Sequence, residues 1–387
     1  MSVAADPSQK LTAPNSVTNY SGLIGSARSW LTARLSEANP HLVLLCKNKR
    51  SAEEFAADLQ LFVGDARRII LFPSWETIPF ERVSPQLDVS AERLAALHYL
   101  ESGEPFILIL SAEAISQLVP NQESLRSRTF TLNPGVHSFE EIARKLAAGG
   151  YSKVSIVEEI GEFAQHGQVI DLYPALCPHP VRLKFEEGRL SRMDLFDAES
   201  QRSLAAIESL NVTPVREHRF TRDPRTDLQS EIERIKTRAA ELDVPLRDVN
   251  EAIKAISEGH DLPGIELLHL IAKDDFQALF SHFSSDTLLV VSDPHGVEQA
   301  LDDLWLNVSQ REEQLSREHY LIPPKQQLYS SPEQIQALSR SFARANLNQL
   351  DLRDERGDSC TIKMRSLSNA ELKTRLKTKI GSGDAYQ

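Results

Sequence analysis

Hydrophobic residues follow two different rhythms along this chain, one nested inside the other. Within 161–197, Gln168–Tyr173 and Val181–Phe185 alternate apolar with polar residues, the period-two signature of a half-buried strand. On either side of this stretch, Leu42–Cys46, Ile69–Phe72, Phe106–Leu110 and Thr287–Val291 are unbroken apolar runs, as expected of strands buried on both faces. The first rhythm suits an antiparallel sheet with one wet face. The second suits a parallel sheet covered by helices.

In the alternating stretch, Val181, Leu183 and Phe185 share one face while Arg182 and Lys184 share the other. Pro174, Pro178 and Pro180 separate the two strands, since proline cannot donate to a ladder. Glu187-Gly188 then supplies a tight reversal into Arg189–Phe196. The outward residues Arg182, Lys184, Arg189 and Arg192 make a docking surface rather than an active site. Phe130–Leu132 and a helix capped by Ser138 and Glu141, with Phe139, Ile142 and Leu146 inward and Gly149-Gly150 at its end, precede these strands. Val212–Val215 closes the block.

The flanking segments alternate strand with helix, which indicates a parallel α/β sheet. Ser51 with Glu54 reads as a capping box, and Phe55, Leu59 and Phe62 as the apolar stripe of the helix that follows, up to Gly64. Ala91–Leu100 reads as helix, and another begins near Ser111. Thr226 to about Ser257 is a charged helical stretch, and the chain returns to the sheet at Thr287–Val291. The predicted organisation is a flexible leader (1–19), two halves of an α/β domain (20–128 and 218–345), an inserted α+β domain (129–217), and a linker or tail (346–387). Apolar periodicity fades from about 351.

At 387 residues the chain has room for two or three domains. No apolar run approaches the roughly 18 residues needed to span a bilayer, and the N-terminus lacks a secretory pattern. Cys46, Cys177 and Cys360 are widely spaced and unpaired in sequence, which fits a reducing cytoplasm and argues against a zinc site. A net charge of −12 disfavours a dedicated nucleic-acid binder, which would show a basic field.

Catalytic patterns are lacking. Residues 22–29 match the phosphate-loop pattern GxxxxGK[ST] only at Gly22 and Ser29, because Ala27 replaces the second glycine and Arg28 the lysine. A Cβ at Ala27 crowds the backbone wrap around phosphates, and a planar guanidinium is not shaped like an ammonium. No acidic DExx run follows a strand to hold magnesium. Glu158-Glu159 and Glu186-Glu187, on strands, point to opposite faces. The eleven histidines show no ligand spacing, so no metal or other cofactor is expected. Trp75, Pro79 and Phe80 form an aromatic loop read as packing on the sheet edge rather than as a DNA wedge. Gly264-Ile265-Glu266 reads as a turn with Glu266 accepting hydrogen bonds.

The run G-E-F-A-x-x-G-x-V-I-D-L-Y-P from Gly161, then V-R-L-x-F from Val181 and L-F-D-x-x-S-Q-R from Leu195, resembles the middle domain shared by UvrB and the transcription-repair coupling factor. Trp75–Phe80 and Asp197–Arg202 make the chain more similar to the coupling factor, whose N-terminal UvrB-like module the resemblance covers over about 20–330. It implies a degenerate, RecA-like nucleotide-binding fold split by the inserted domain. It places the family's phosphate loop at Gly22, Ala27, Arg28 and Ser29, where UvrB retains function and the coupling factor's module has lost it. It implies a non-catalytic adaptor that recruits UvrA to stalled transcription during nucleotide excision repair. The alternatives are a UvrB-like DNA-dependent ATPase or damage-binding protein, and a module that masks the UvrA surface. Arg182 falls where the family carries a UvrA-contacting arginine, within a partner-binding set of His166, Gly167, Arg182, Phe185 and Glu186. His166 replaces a family arginine before the glycine, and Glu186 replaces a second aromatic. The family's polymerase-binding domain and DNA translocase, and with them RNA polymerase and DNA as partners, are not expected in this chain.

Overall fold

The computed structural model describes residues 11, 13–64, 68–175, 177–218, 228–258, 262–349, 360–364 and 366. Strand and helix alternate first: β1 (Val17–Ser21), α1 (Ala27–Ala38), β2 (His41–Cys46), α2 (Lys49–Gln60), β3 (Arg68–Phe72), α3 (Leu87–Leu100), β4 (Phe106–Ser111), α4 (Ala112–Ser116), β5 (Val119–Pro120) and α5 (Gln122–Arg128). The inserted block follows, with β6 (Phe130–Leu132), α6 (Phe139–Ala148), β7 (Ser152–Lys153), β8 (Glu162–His166), β9 (Val169–Leu172), β10 (Val181–Glu186), β11 (Arg189–Phe196), β12 (Ser203–Ile207) and β13 (Leu210–Val212). The return consists of α7 (Leu228–Glu241), α8 (Leu246–Glu258), α9 (Ile265–Ala272), β14 (Phe276–Gln277), β15 (Leu288–Ser292), α10 (Pro294–Arg317), α11 (Pro332–Ser339), β16 (Ala343–Leu347) and β17 (Cys360–Lys363).

Seven strands form one sheet in the order β17-β1-β16-β15-β2-β4-β3, with every pairing parallel. Strands β15 and β16, made after the insertion, slot between β1 and β2. The two halves are therefore one domain. The unbroken apolar runs serve two cores at once. Val43, Leu45, Leu108, Leu110, Leu289 and Val291 pack on one face; Leu42, Leu44, Ile107, Ile109, Leu288 and Val290 pack on the other. A third core joins α7, α8, α9 and α10 to Trp75 and Phe80. The aromatic loop thus packs inward, but among these helices rather than on the sheet edge that the sequence suggested.

The inserted block has its own six-stranded sheet, β12-β11-β10-β9-β8-β7, antiparallel except for β7 with β8. Its inner face carries Phe163, Ile170, Leu172, Val181, Leu183 and Phe185, packed with Ile142 and Leu146 of α6. Ser138 caps α6 by accepting from the Glu141 amide. Glu187 and Gly188, both at positive φ, turn β10 into β11, which glycine permits at no steric cost.

Several local expectations require correction. Helix α2 is capped by Asn48, whose side chain accepts from the Ser51 amide; Ser51 is already inside the helix, and Glu54 pairs with Arg50. Asparagine competes well at an N-cap, and it lies one residue before the first helical turn. Phe62 falls beyond the end of α2 and is exposed. Ile69–Phe72 is an edge strand with Leu71 exposed, not a fully buried one. The charged stretch is two helices, broken where Asp243 adopts positive φ and Pro245 follows. Val212 ends a short strand that pairs with β6 and does not join the large sheet. Strand β1 begins inside the span read as leader, and β17 pairs with β1 inside the span read as tail. Residues 1–10 and 12 of the leader, Thr226, and the basic stretch after Ser366 lie outside the described residues. No helix among the described residues is long and apolar enough to cross a membrane.

Candidate partner-binding surface

The outer face of the six-stranded sheet is built by register. Arg182 stands opposite Asp171 on one neighbour and Asp194 on the other; Lys184 stands opposite Val169 and Arg192. Opposite charges facing across strands attract, so cations and carboxylates interlock on this face.

Arg182 is fully engaged within the sheet. Its Nε and Nη2 donate to the two oxygens of Asp171 at 2.8 Å each, and its Nη1 donates to the Gln201 carbonyl at 3.3 Å. The guanidinium lies 4.5 Å from the centre of the Phe196 ring. The hydrogen bonds it donates to Asp171 push its pKa further up. Alternation alone leaves Arg182 a free donor fork; in the folded sheet that fork is taken by Asp171, which is buried and needs it.

Lys184 and Arg192 are exposed cations of this face. Lys184 is 42% and Arg192 61% exposed, yet both donate to the two oxygens of Asp194, itself 1% exposed, at 2.9 and 2.8 Å. Burial alone would push the Asp194 carboxyl up. The hydrogen bonds from Lys184 and Arg192 outweigh it and hold the carboxyl below its usual range. One buried carboxylate therefore fixes two exposed cations side by side. Sequence reading missed Asp171 and Asp194 as the organisers, although the same alternation places both on the face of Arg182.

His166, Gly167 and Glu186 gather at one end of this sheet. Gly167 takes φ +58 in the β8–β9 turn, and the Gln168 carbonyl accepts from the Phe185 amide at 3.0 Å, so the two hairpin ends lie together. His166 is exposed, with Nε2 2.8 Å from the Ser155 carbonyl oxygen. Glu186 is exposed beside it. Phe185 does not belong to the surface. It is 4% exposed and packs edge-to-face on Phe139 at 5.1 Å, because the alternation turns it to the core.

Residues 134–218 match the family described as the UvrB interaction domain. That segment is similar to the UvrB interaction domain. The match begins just ahead of α6 and ends where the inserted block rejoins the parent sheet, so it covers the outer face described above. Over 343 residues, 85% of this chain, the sequence is 29% identical to a transcription-repair-coupling factor of Myxococcus xanthus. Those of Escherichia coli (strain K12) and Mycobacterium bovis are 28% identical over 69% and 30% identical over 72% of the chain. These alignments take in 27%, 23% and 23% of the respective relatives, so the chain spans about a quarter of their length. The resemblance drawn from the motifs is borne out.

A buried polar hub pins the inserted block to the α/β domain. Arg93 of α3, fully buried, donates from Nε to Glu217 at 2.6 Å, and the Trp75 indole donates to the same carboxylate at 2.7 Å. Arg93 also donates to the Pro73 carbonyl and to Gln117. Arg128 donates to the Arg216 and Glu217 carbonyls. His218 stacks on Phe276 at 4.3 Å, and burial, aided by the neighbouring His269 and arginines, lowers its pKa well below the usual value. None of this was legible in the sequence, where these residues are scattered over some 200 positions.

The degenerate phosphate loop lies between β1 and α1. Arg28 donates to Ser292 at 3.2 Å and lies over the Phe55 ring. Ser29 donates to Asp58 at 3.3 Å. Among the described residues no His, Cys, Asp and Glu side chains converge as a metal site. As read from the sequence, Glu266 accepts a hydrogen bond, from Ser84 at 2.7 Å, where Gly264 at φ +75 opens α9.

Proposed function

We propose that the UvrB interaction domain of this chain docks UvrA through the outer face of its six-stranded sheet. The observation that carries this reading is the pair Lys184 and Arg192, held side by side by the buried Asp194 within the matched segment. Cations fixed in place lose little freedom on binding, so each contact to a partner carboxylate retains most of its strength. A local cationic pair on a chain of net charge −12 suits an acidic protein patch better than a polyanionic duplex. His166, Gly167 and Glu186 border this face, and Arg182 supports it through Asp171.

In this reading the chain is an adaptor in transcription-coupled repair and hydrolyses no nucleotide itself. Support comes from Arg28 and Ser29, whose side chains are engaged by Ser292 and Asp58. The test is titration of UvrA onto the intact chain and onto Arg192→Ala and Lys184→Ala. Each single variant leaves Asp194 one partner, so the fold is retained. Each should weaken binding roughly tenfold, the scale of one lost charge-assisted contact. Affinities equal to wild type in both variants would remove this face from the interaction.

A further inference from the structure

The loop after β1 has backbone donors like those of a phosphate loop, but the chain itself engages them. The Leu23 amide donates to the Asn348 carbonyl at 3.2 Å, and the Ala27 amide to the Ile24 carbonyl at 3.3 Å. The Ile24 amide donates to the Ser366 hydroxyl at 2.8 Å, and that hydroxyl donates back to the Gly22 carbonyl at 2.6 Å. One side chain thus clamps both sides of the turn.

The segment carrying Ser366 is anchored by more than this clamp. Strand β17 runs parallel to β1 with Thr18 opposite Cys360 and Ser21 opposite Lys363. The Met364 amide donates to the Ser21 carbonyl at 2.9 Å. Ile362 and Met364 pack against the core cluster that holds Tyr20, Leu23 and Leu31. Gly22, at φ +77, lies so close beneath the Met364 carbonyl oxygen that a Cβ there would overlap it. The one loop glycine retained from the phosphate-binding pattern serves an approach of backbone to backbone.

We propose that residues 360–364 and 366 are an intramolecular ligand of the degenerate loop, with the Ser366 hydroxyl seated where a working loop holds phosphate. Phosphate loops bind by presenting amides to oxygens. Here the Ser366 hydroxyl and the Asn348 carbonyl supply oxygens to the Ile24 and Leu23 amides, without the charge that a lysine would have to balance. That accounts for a loop that tolerates Ala27 and Arg28: its guest is neutral. It also makes the loop a clasp, tying β17 and Ser366 to the parallel sheet beside β1.

The test is residue-resolved hydrogen exchange on the intact chain. In wild type the Ile24 and Met364 amides should be protected. Ser366→Ala should speed exchange at Ile24 roughly tenfold, the effect of one lost acceptor, while Ser366→Thr restores protection. Gly22→Ala should loosen Met364 and the β17 amides, leaving β9–β11 unaffected. Unchanged Ile24 exchange in Ser366→Ala would overturn the proposal. So would release of the wild-type Met364 amide on adding millimolar Mg-ATP, because nucleotide would then be the loop's ligand.

Discussion

Replacing Arg182 tests whether the outer face of the six-stranded sheet is a free surface or a built network. Seen from the sequence alone, Arg182→Glu should leave the fold intact, since the residue points away from Val181, Leu183 and Phe185. The structure predicts otherwise. Breaking a fully buried ion pair costs about 3–5 kcal/mol and a surface pair about 0–1 kcal/mol. Asp171 is 8% and Arg182 22% exposed at the side chain, so this pair lies nearer the buried limit. Arg182→Ala should therefore cost about 2–3 kcal/mol, with loss of the cation–ring contact to Phe196 contributing about 0.5–1 kcal/mol of it. Arg182→Glu should cost more, because a second carboxylate meets Asp171. Urea unfolding and amide exchange across β9–β11 measure the effect. In a cycle with Asp171→Ala, the double variant should be milder than the sum of the singles by at least about 1 kcal/mol. Arg182→Ala within about 0.5 kcal/mol of wild type, with unchanged β9–β10 protection, would refute the reasoning and return the guanidinium to the partner.

Other outcomes follow from the same structure. Glu217→Ala strands the buried Arg93 and removes the acceptor of the Trp75 indole, so it should destabilise the chain by about 3–5 kcal/mol and shift Trp fluorescence on denaturant titration. His218 is held neutral, so the native state binds fewer protons; stability is full above the ordinary histidine value near 6.5 and declines as pH falls below it. Urea midpoints at pH 7.5 and 5.5 should show that decline, at up to about 1.4 kcal/mol per pH unit, and His218→Phe should reduce it. Gly264→Ala sets a Cβ against the Arg82 backbone at positive φ and should lower the melting temperature by several degrees, about 1–3 kcal/mol. Calorimetric titration with Mg-ATP should show no binding in the micromolar range; a measurable heat with unit stoichiometry would favour the UvrB-like ATPase reading.

The sequence by itself determined the architecture. Unbroken apolar runs fit only strands sandwiched between helices, and Leu42–Cys46 and Phe106–Leu110 became β2 and β4 at the heart of a parallel sheet. Alternation fixed which face of β10 is wet, because side chains on a strand have period two whatever surrounds them. The same rule could have excluded Phe185 from the surface, and the resemblance overrode it. Only tertiary structure decided what the wet-face charges do. Register pairs Arg182 with Asp171 and sets Asp194 beneath Lys184 and Arg192, and register is a property of two strands together. The strand β17, four residues with weak periodicity, was read as tail because its partners, β1 and the loop at Gly22, lie some 340 positions away. The Arg93–Glu217–Trp75 hub was invisible for the same reason. Buried polar groups find their partners through the folded chain, so local patterns reveal where such residues face and not what they meet.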